Sequence, residues 1–226
     1  MTPLYLYVLT GSLAIPLLYS FFGLDFIKKW KNFTLSTTII ALFFLIWDLL
    51  FTQKGVWGFN HDYCVGIYLF QIPLEEFLFF FIIPFCSVFT HYAFFYAFPR
   101  VRLNQKITLV IAVSLIILCI ILIVTNFDKA YTFVNFSFLL VILTLGLIHN
   151  QKLLQQFFIS FLIILIPFFM VNGMLTGAIT DNPIVWYDNI ENLGIRLGTI
   201  PVEDIGYAFS MLFGNLLIFE DINKRH

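Results

Sequence analysis

Charged residues are scarce in this sequence, at 11% of its 226 residues, whereas a typical soluble domain carries about 25%. The net charge of -1 gives no indication of a nucleic-acid partner, and we expect none. The three cysteines are too few for a disulfide framework. The motifs GxGxxG, GxxxxGK[ST], HExxH and GxSxG are also missing, which leaves dinucleotide, nucleotide, zinc-protease and serine-hydrolase chemistry without a motif.

Apolar residues, in contrast, make up 61% of the chain, and the mean hydropathy is +0.95. A spanning helix needs about 20 apolar residues, and seven runs of roughly this length occur: 4–22, 33–52, 72–98, 107–125, 131–148, 157–179 and 198–219. The sequence therefore predicts an all-α integral membrane protein with seven transmembrane helices.

The connections between these runs differ in basic charge. Connections after the odd-numbered runs carry Lys28, Lys29, Lys31, Arg100, Arg102, Lys106, Lys152, Lys224 and Arg225, and those on the other side carry Lys54, Lys129 and Arg196. Lys and Arg accumulate on the cytoplasmic side. We therefore expect an inner-membrane protein with its N-terminus outside and its C-terminus in the cytoplasm.

An internal repeat organises the chain. Residues 64–76, CVGIYLFQIPLEE, align with residues 192–204, NLGIRLGTIPVED, at a shift of 128 positions. We predict two parallel three-helix repeats, 1–106 and 131–226, joined by a linking helix within 107–130. Parallel repeats of this kind form their functional site where the halves meet.

Each repeat begins its third helix with two adjacent acids, Glu75 and Glu76 in the first and Glu203 and Asp204 in the second. Acids after a proline are common helix caps. Ionisable groups in spanning helices tend to be functional, and two pairs at matched depth favour a site. Neighbouring helical residues point about 100° apart, so only one acid of each pair can face a given point. We expect Glu75 or Glu203 to face a cavity between the two halves.

Further polar and aromatic residues are candidates for the same site. Asp48 lies in the second span and aligns with Asn172 in the sixth. Aromatic candidates precede the acids or follow them on one helix face: Trp57, Trp186, Phe79 and Tyr207. Acids beside aromatic walls suit the protonation of a carbon–carbon double bond, since the rings hold the resulting cation. We expect no metal site.

The stretches IPLEEF with FFFIIPF, RLGTIPVEDIGY with LLIFE, and GVWGFN resemble the small membrane-embedded lycopene cyclases. The resemblance implies conversion of lycopene to β-carotene, with Glu75, Glu76, Glu203 and Asp204 as catalytic acids. It implies lycopene and other carotenoids as ligands, the lipid bilayer as surroundings and other carotenoid-pathway enzymes as candidate partners.

Cyclisation is redox-neutral, so its stoichiometry requires no cofactor, although reduced flavin stays open as a proton donor or cation stabiliser. Two other functions also stay open. Parallel repeats with acids could form a proton-coupled transporter, and a chain of this type could bind carotenoids without catalysis. A transporter would need polar groups along the whole path, but the third and seventh helices continue mainly with Phe, Ile and Leu.

Overall fold

The computed structural model describes residues 3–22, 24 and 26–224. Seven α-helices are long and apolar enough to cross a membrane: α1 (Leu4–Phe22), α2 (Trp30–Lys54), α3 (Leu74–Ala97), α4 (Gln105–Thr125), α5 (Ala130–His149), α6 (Gln151–Leu175) and α7 (Glu203–Lys224). Short 3-10 helices cover Phe26–Lys29 and His61–Tyr63. The prediction of an all-α integral membrane protein with seven spans is confirmed.

Four predicted helix boundaries, in α3, α6 and α7, are wrong, and local chemistry explains each. Helices α3 and α7 begin later than positions 72 and 198, because hairpins precede them. Helix α6 begins earlier than position 157, at Gln151, where the Asn150 side chain accepts a hydrogen bond from the Leu153 amide at 3.2 Å. It ends before Gly177, whose φ of 103° no continuing helix can adopt.

Six short strands connect the helices at one end of the bundle. They are β1 (Trp57–Phe59), β2 (Tyr68–Leu69), β3 (Ile72–Pro73), β4 (Val185–Tyr187), β5 (Arg196–Leu197) and β6 (Ile200–Pro201). Strands β2 and β3 form a hairpin that leads into α3, and β5 and β6 form one that leads into α7. Strands β1, β2 and β3 recur as β4, β5 and β6 at the shift of 128 seen in the sequence.

The two repeats meet through β1 and β4, which pair antiparallel. Gly58 pairs with Trp186 at the centre, and Trp57 and Phe59 pair with Tyr187 and Val185 on either side. Strands at equivalent positions that pair symmetrically about their centres are what a two-fold axis produces. The two halves are therefore related by an approximate two-fold axis.

Helices α3 and α7 form the centre of the bundle. Helix α1 packs on α3, while α2 and α5 both pack on α7. Buried polar contacts link α2 to α7, where Asn215 accepts a hydrogen bond from Ser36 at 2.8 Å and donates one to Thr37 at 2.9 Å. Helix α4 packs mainly against α5, at the periphery. This packing brings the first turns of α3 and α7 together in the interior.

Candidate active site

The first acid of each pair holds a loop in place. The Glu75 carboxylate accepts a hydrogen bond from the Val65 amide at 2.6 Å, and Glu203 accepts one from the Leu193 amide at 2.7 Å. These contacts are equivalent in the two repeats, since both members differ by 128 positions. Thr132 also donates to Glu203, at 2.8 Å. Glu75 and Glu203 therefore stabilise the connections that lead into α3 and α7.

The second acid of each pair accepts a hydrogen bond from a tyrosine. Tyr5 donates to Glu76 at 2.5 Å, and Tyr131 donates to Asp204 at 2.5 Å. Tyr5 and Tyr131 lie in the first turns of α1 and α5, the first helices of the two repeats. All four side chains are buried, so each repeat supplies one buried tyrosine–carboxyl pair.

Asp204 has additional donors that Glu76 lacks. Tyr187 donates to its other oxygen at 3.0 Å, and the Asn172 amide lies 3.5 Å from that oxygen. Burial raises the pKa of the Tyr187 phenol well above its usual value, and the neighbouring Asp204 carboxylate raises it further. Tyr187 therefore keeps its proton and acts as a hydrogen-bond donor.

Asp48 is a third buried acid beside these pairs. The Trp57 indole donates to its Oδ1 atom at 2.5 Å, and Thr52 Oγ1 lies 3.5 Å from the same atom. Its Oδ2 atom is buried and has no hydrogen-bond partner among the described residues. One oxygen each of Glu75 and Glu203 is also buried without a partner, but of these three acids Asp48 alone lines the cavity described next.

Asp48, Glu76 and Asp204 face a single cavity of about 690 Å³ between α1, α3, α6 and α7. The acids lie at the end where α3 and α7 begin, and the cavity follows α3 down to Thr90. At 1.5 Å per residue this distance is roughly 21 Å. The remaining lining is mostly apolar, and no Lys, Arg or His of the described ranges contributes to it. The cavity is therefore a long apolar slot with carboxyl groups at one end.

The cavity opens sideways between α1 and α6. Its lining includes Tyr7, Ile15 and Met170, whose side chains are more than half exposed on the outer surface of the bundle. In a spanning bundle these side chains face the hydrocarbon core of the bilayer. An apolar molecule can therefore reach the acids from the membrane without crossing water.

Five of the six predicted substrate-binding residues line this cavity: Asp48, Trp57, Phe79, Asn172 and Tyr207. Trp186 does not. It is 41% exposed, and its ring lies against Gly58, where any side chain would overlap it. Its neighbour Tyr187 lines the cavity instead, because successive residues of a strand point to opposite faces.

The expectation that Glu75 or Glu203 faces the cavity is wrong. Neither lines it, and Glu76 and Asp204 do. Residues three and four positions apart share a helix face, so Phe79 and Tyr207 fit the second acid of each pair as well as the first.

Arg196, in the loop before α7, does not pair with an acid of the described chain and instead donates to the Thr199 carbonyl at 2.6 Å and to Asn189 at 2.8 Å.

Sequence reasoning missed the three tyrosines, Tyr5, Tyr131 and Tyr187. A signal existed for two of them, because aligning the first and fifth spans places Tyr5 over Tyr131. Tyr187 has Phe59 as its counterpart at the shift of 128, so no repeated polar residue marks it.

The approximate two-fold axis predicts a second cavity beside α2 and α5, but aromatic side chains fill that space. Phe43 and Trp47 of α2 take the positions that Pro167 and Val171 hold in α6. Phe138 of α5 takes the position of Ser12 in α1. The Phe43 and Phe138 rings stack at 4.6 Å, and Trp47 packs against both. Of these two symmetry-related spaces, the one between α1 and α6 forms the cavity described above.

The fold and site define a class: a helical membrane protein with two related halves, whose buried acids face a slot for an apolar molecule. A family model described as lycopene cyclase matches residues 2–95 and 128–222, one segment in each repeat. The chain therefore belongs to the lycopene cyclase family, which makes it a cyclase with a carotenoid substrate. The resemblance seen in the sequence is thus confirmed. Neither the comparison with curated proteins nor that with solved structures gives a match.

Proposed function

We propose that this protein converts the acyclic ends of lycopene into β-rings, giving β-carotene, by a proton-initiated and redox-neutral cyclisation. The observation that carries the proposal is the convergence of Asp48, Glu76 and Asp204 on one apolar cavity that opens to the membrane. A carotenoid is an apolar rod, so a slot of this shape can hold it with one end group at the acids.

The reaction balances without a redox partner. An acid adds a proton to carbon 2 of the end group, and the tertiary cation at carbon 1 is captured by the double bond between carbons 5 and 6. The bond between carbons 1 and 6 closes the ring and moves the cation to carbon 5. A base then removes the proton at carbon 6, and the product is an isomer of the substrate. We therefore propose that no redox cofactor is required; reduced flavin as proton donor is the alternative.

We assign the chemistry to the second acid of each pair. Glu76 and Asp204 line the cavity, so they are the proposed catalytic residues, whereas Glu75 and Glu203 hold loop amides and are proposed as positioning residues. This assignment divides each motif between one catalytic and one structural acid.

The surroundings of the two catalytic acids support different roles for them. Asp204 accepts hydrogen bonds from Tyr131 and Tyr187, and the Asn172 amide lies 3.5 Å away. An ionised carboxylate only accepts hydrogen bonds, so these donors suit a base. Glu76 has Tyr5 as its hydrogen-bond donor and lines the same cavity as Asp48. Two neighbouring carboxyls share a proton more readily than they carry two charges. We therefore propose Glu76, with Asp48, as the proton donor.

Aromatic rings next to the acids are proposed to stabilise the cation. Trp57 and Tyr207 both line the cavity beside the three acids, and Phe79 lies one helical turn from Glu76. An aromatic face attracts a cation within about 6 Å of its centre, more strongly where water is excluded.

Expression in a lycopene-producing host tests the proposal. The wild-type chain should replace lycopene with one-ring and two-ring products in the pigment extract, measured by chromatography. The Glu76→Gln variant should leave lycopene unchanged, while Asp62→Asn, which makes a similar change at an exposed position in the 3-10 helix His61–Tyr63, should cyclise normally. Lycopene that stays unchanged with wild-type protein present in the membrane would contradict the proposal and favour a carotenoid-binding protein or a transporter.

A further inference from the structure

A second cavity lies at the opposite end of the bundle, where α3 ends and α4 and α6 begin. It measures about 630 Å³. Arg100, Arg102 and Lys152 line it together with the amide side chains of Gln105, Gln151 and Gln155. We call this cavity the basic pocket. It is separate from the cavity that Glu76 and Asp204 line, and the proposed cyclisation does not use it.

The three cations of the basic pocket have no counter-charge. No acidic side chain lines the pocket, and within the described part of the chain none of the three forms an ion pair or a side-chain hydrogen bond. All three side chains are exposed, so water and salt screen their mutual repulsion, and their charges are available to an anion. The charge of the pocket points to an anionic ligand.

Two long helices point their N-termini at the same pocket. The Asn104 side chain accepts a hydrogen bond from the Lys106 amide at 2.8 Å at the start of α4, and Asn150 caps α6 in the same way. Gln105 donates to Gln151 at 3.1 Å and ties the two starts together. A helix N-terminus has four amide groups without a partner inside the helix and a partial positive charge. Each side-chain cap occupies one of those amides, and at α6 the Asn150 amide also donates to the Gly146 carbonyl at 3.2 Å. Helix N-termini of this kind bind phosphate.

Gln155 provides an independent sign of a ligand. It is only 7% exposed, it lines the pocket, and its amide has no hydrogen-bond partner among the described residues. Buried side-chain amides are normally hydrogen-bonded. The free amide of Gln155 therefore has room for a ligand oxygen within the pocket.

We infer that the basic pocket binds a phosphate group, and that the source is the headgroup of an anionic lipid. Arginine pairs with phosphate through two parallel hydrogen bonds. The pocket also lies at the ends of spanning helices, which is the depth of lipid headgroups, and basic pockets between such helices bind anionic lipids. Free phosphate shares this chemistry and is the other source to test.

The test uses the purified full chain in a neutral detergent. Native mass spectrometry measures binding of phosphatidylglycerol and of phosphatidylcholine with the same acyl chains. The wild-type chain should prefer phosphatidylglycerol. The Arg102→Gln/Lys152→Gln variant should lose about tenfold or more in affinity for it, as expected when charge-assisted hydrogen bonds are removed. The matched control, Lys31→Gln/Lys224→Gln, removes two charges from exposed positions at the same end of the bundle and should keep the preference.

Two further arms keep the inference testable. Gln155→Glu retains the size of the side chain but adds a negative charge, so it should also weaken phosphatidylglycerol binding even if the double variant is unstable. Inorganic phosphate is added during thermal unfolding of the wild type. If phosphate stabilises the protein as much as the lipid does, the result supports the pocket, with free phosphate as its ligand. Equal affinity for both lipids without an effect of phosphate, or an unchanged preference in both pocket variants, would overturn the inference.

Discussion

Neighbouring glutamates in the first turn of α3 should respond very differently to one conservative change. Glu76→Gln removes the transferable proton from a side chain that faces the cavity. A positioned general acid contributes about 10² to 10⁴-fold to a rate, so the cyclisation rate should fall by at least about 100-fold. Glu75→Gln leaves a side-chain carbonyl that can still accept from the Val65 amide. Weakening that hydrogen bond costs about 1 kcal/mol. This lowers the ratio of hydrogen-bonded to released loop roughly fivefold.

The assay follows conversion of lycopene in liposomes by purified wild-type protein and both variants, with thermal unfolding measured in parallel. Each change weakens one hydrogen bond, so both variants should unfold at a slightly lower temperature. Glu76→Gln should lose activity, whereas Glu75→Gln should keep it. The opposite pattern, with Glu75→Gln inactive and stable and Glu76→Gln active, would refute the assignment of the second acid to catalysis. Glu203→Gln and Asp204→Asn repeat the comparison in the second half.

Other expected outcomes concern the tyrosines, the proton and the topology. Tyr5→Phe removes the tyrosine donor of Glu76, whereas Tyr131→Phe leaves Asp204 with Tyr187. Tyr5→Phe should therefore lower the rate more, by about tenfold for the loss of a buried hydrogen bond, and shift the pH–rate profile; equal losses would argue against unequal acids. In heavy water each ring should gain one deuterium at carbon 2, provided that the acid exchanges with solvent between turnovers, and product without deuterium would eliminate the proton mechanism. A reporter fused after His226 should be active in the cytoplasm and one inserted at Asn182 only outside, and reversal of both would overturn the orientation.

The architecture was predictable because it depends on patterns that survive without detailed geometry. Apolar runs of spanning length and a constant shift of 128 residues identify seven helices and two repeats. The ends of the helices were harder to predict from the sequence. Residues 198–202 are apolar enough to extend the last run, but Gly198, at a φ of 66°, forms a hairpin turn there. Composition alone does not separate such a hairpin from the first turn of a helix.

The site was predictable in composition but not in orientation. The acids follow from their repetition, yet which acid of each pair faces the cavity depends on where the loop amides of Val65 and Leu193 fall. Those amides belong to chain segments ten residues earlier, and their positions depend on hairpin geometry. Tyr187 could not be predicted from the sequence for a similar reason, since strand register decides whether it or Trp186 points inward.

The aromatic filling of the second half has a kinetic consequence under the proposed function. Lycopene has two ends, but Phe43, Trp47 and Phe138 fill the space in the second half that corresponds to the cavity between α1 and α6. One binding event can therefore close one ring, and the molecule must leave, reverse and return before the other end reaches Glu76. Such an enzyme releases the one-ring carotenoid into the bilayer as a free product. The ratio of one-ring to two-ring pigment then depends on the supply of lycopene, because fresh substrate competes with the half-finished molecule for the same slot.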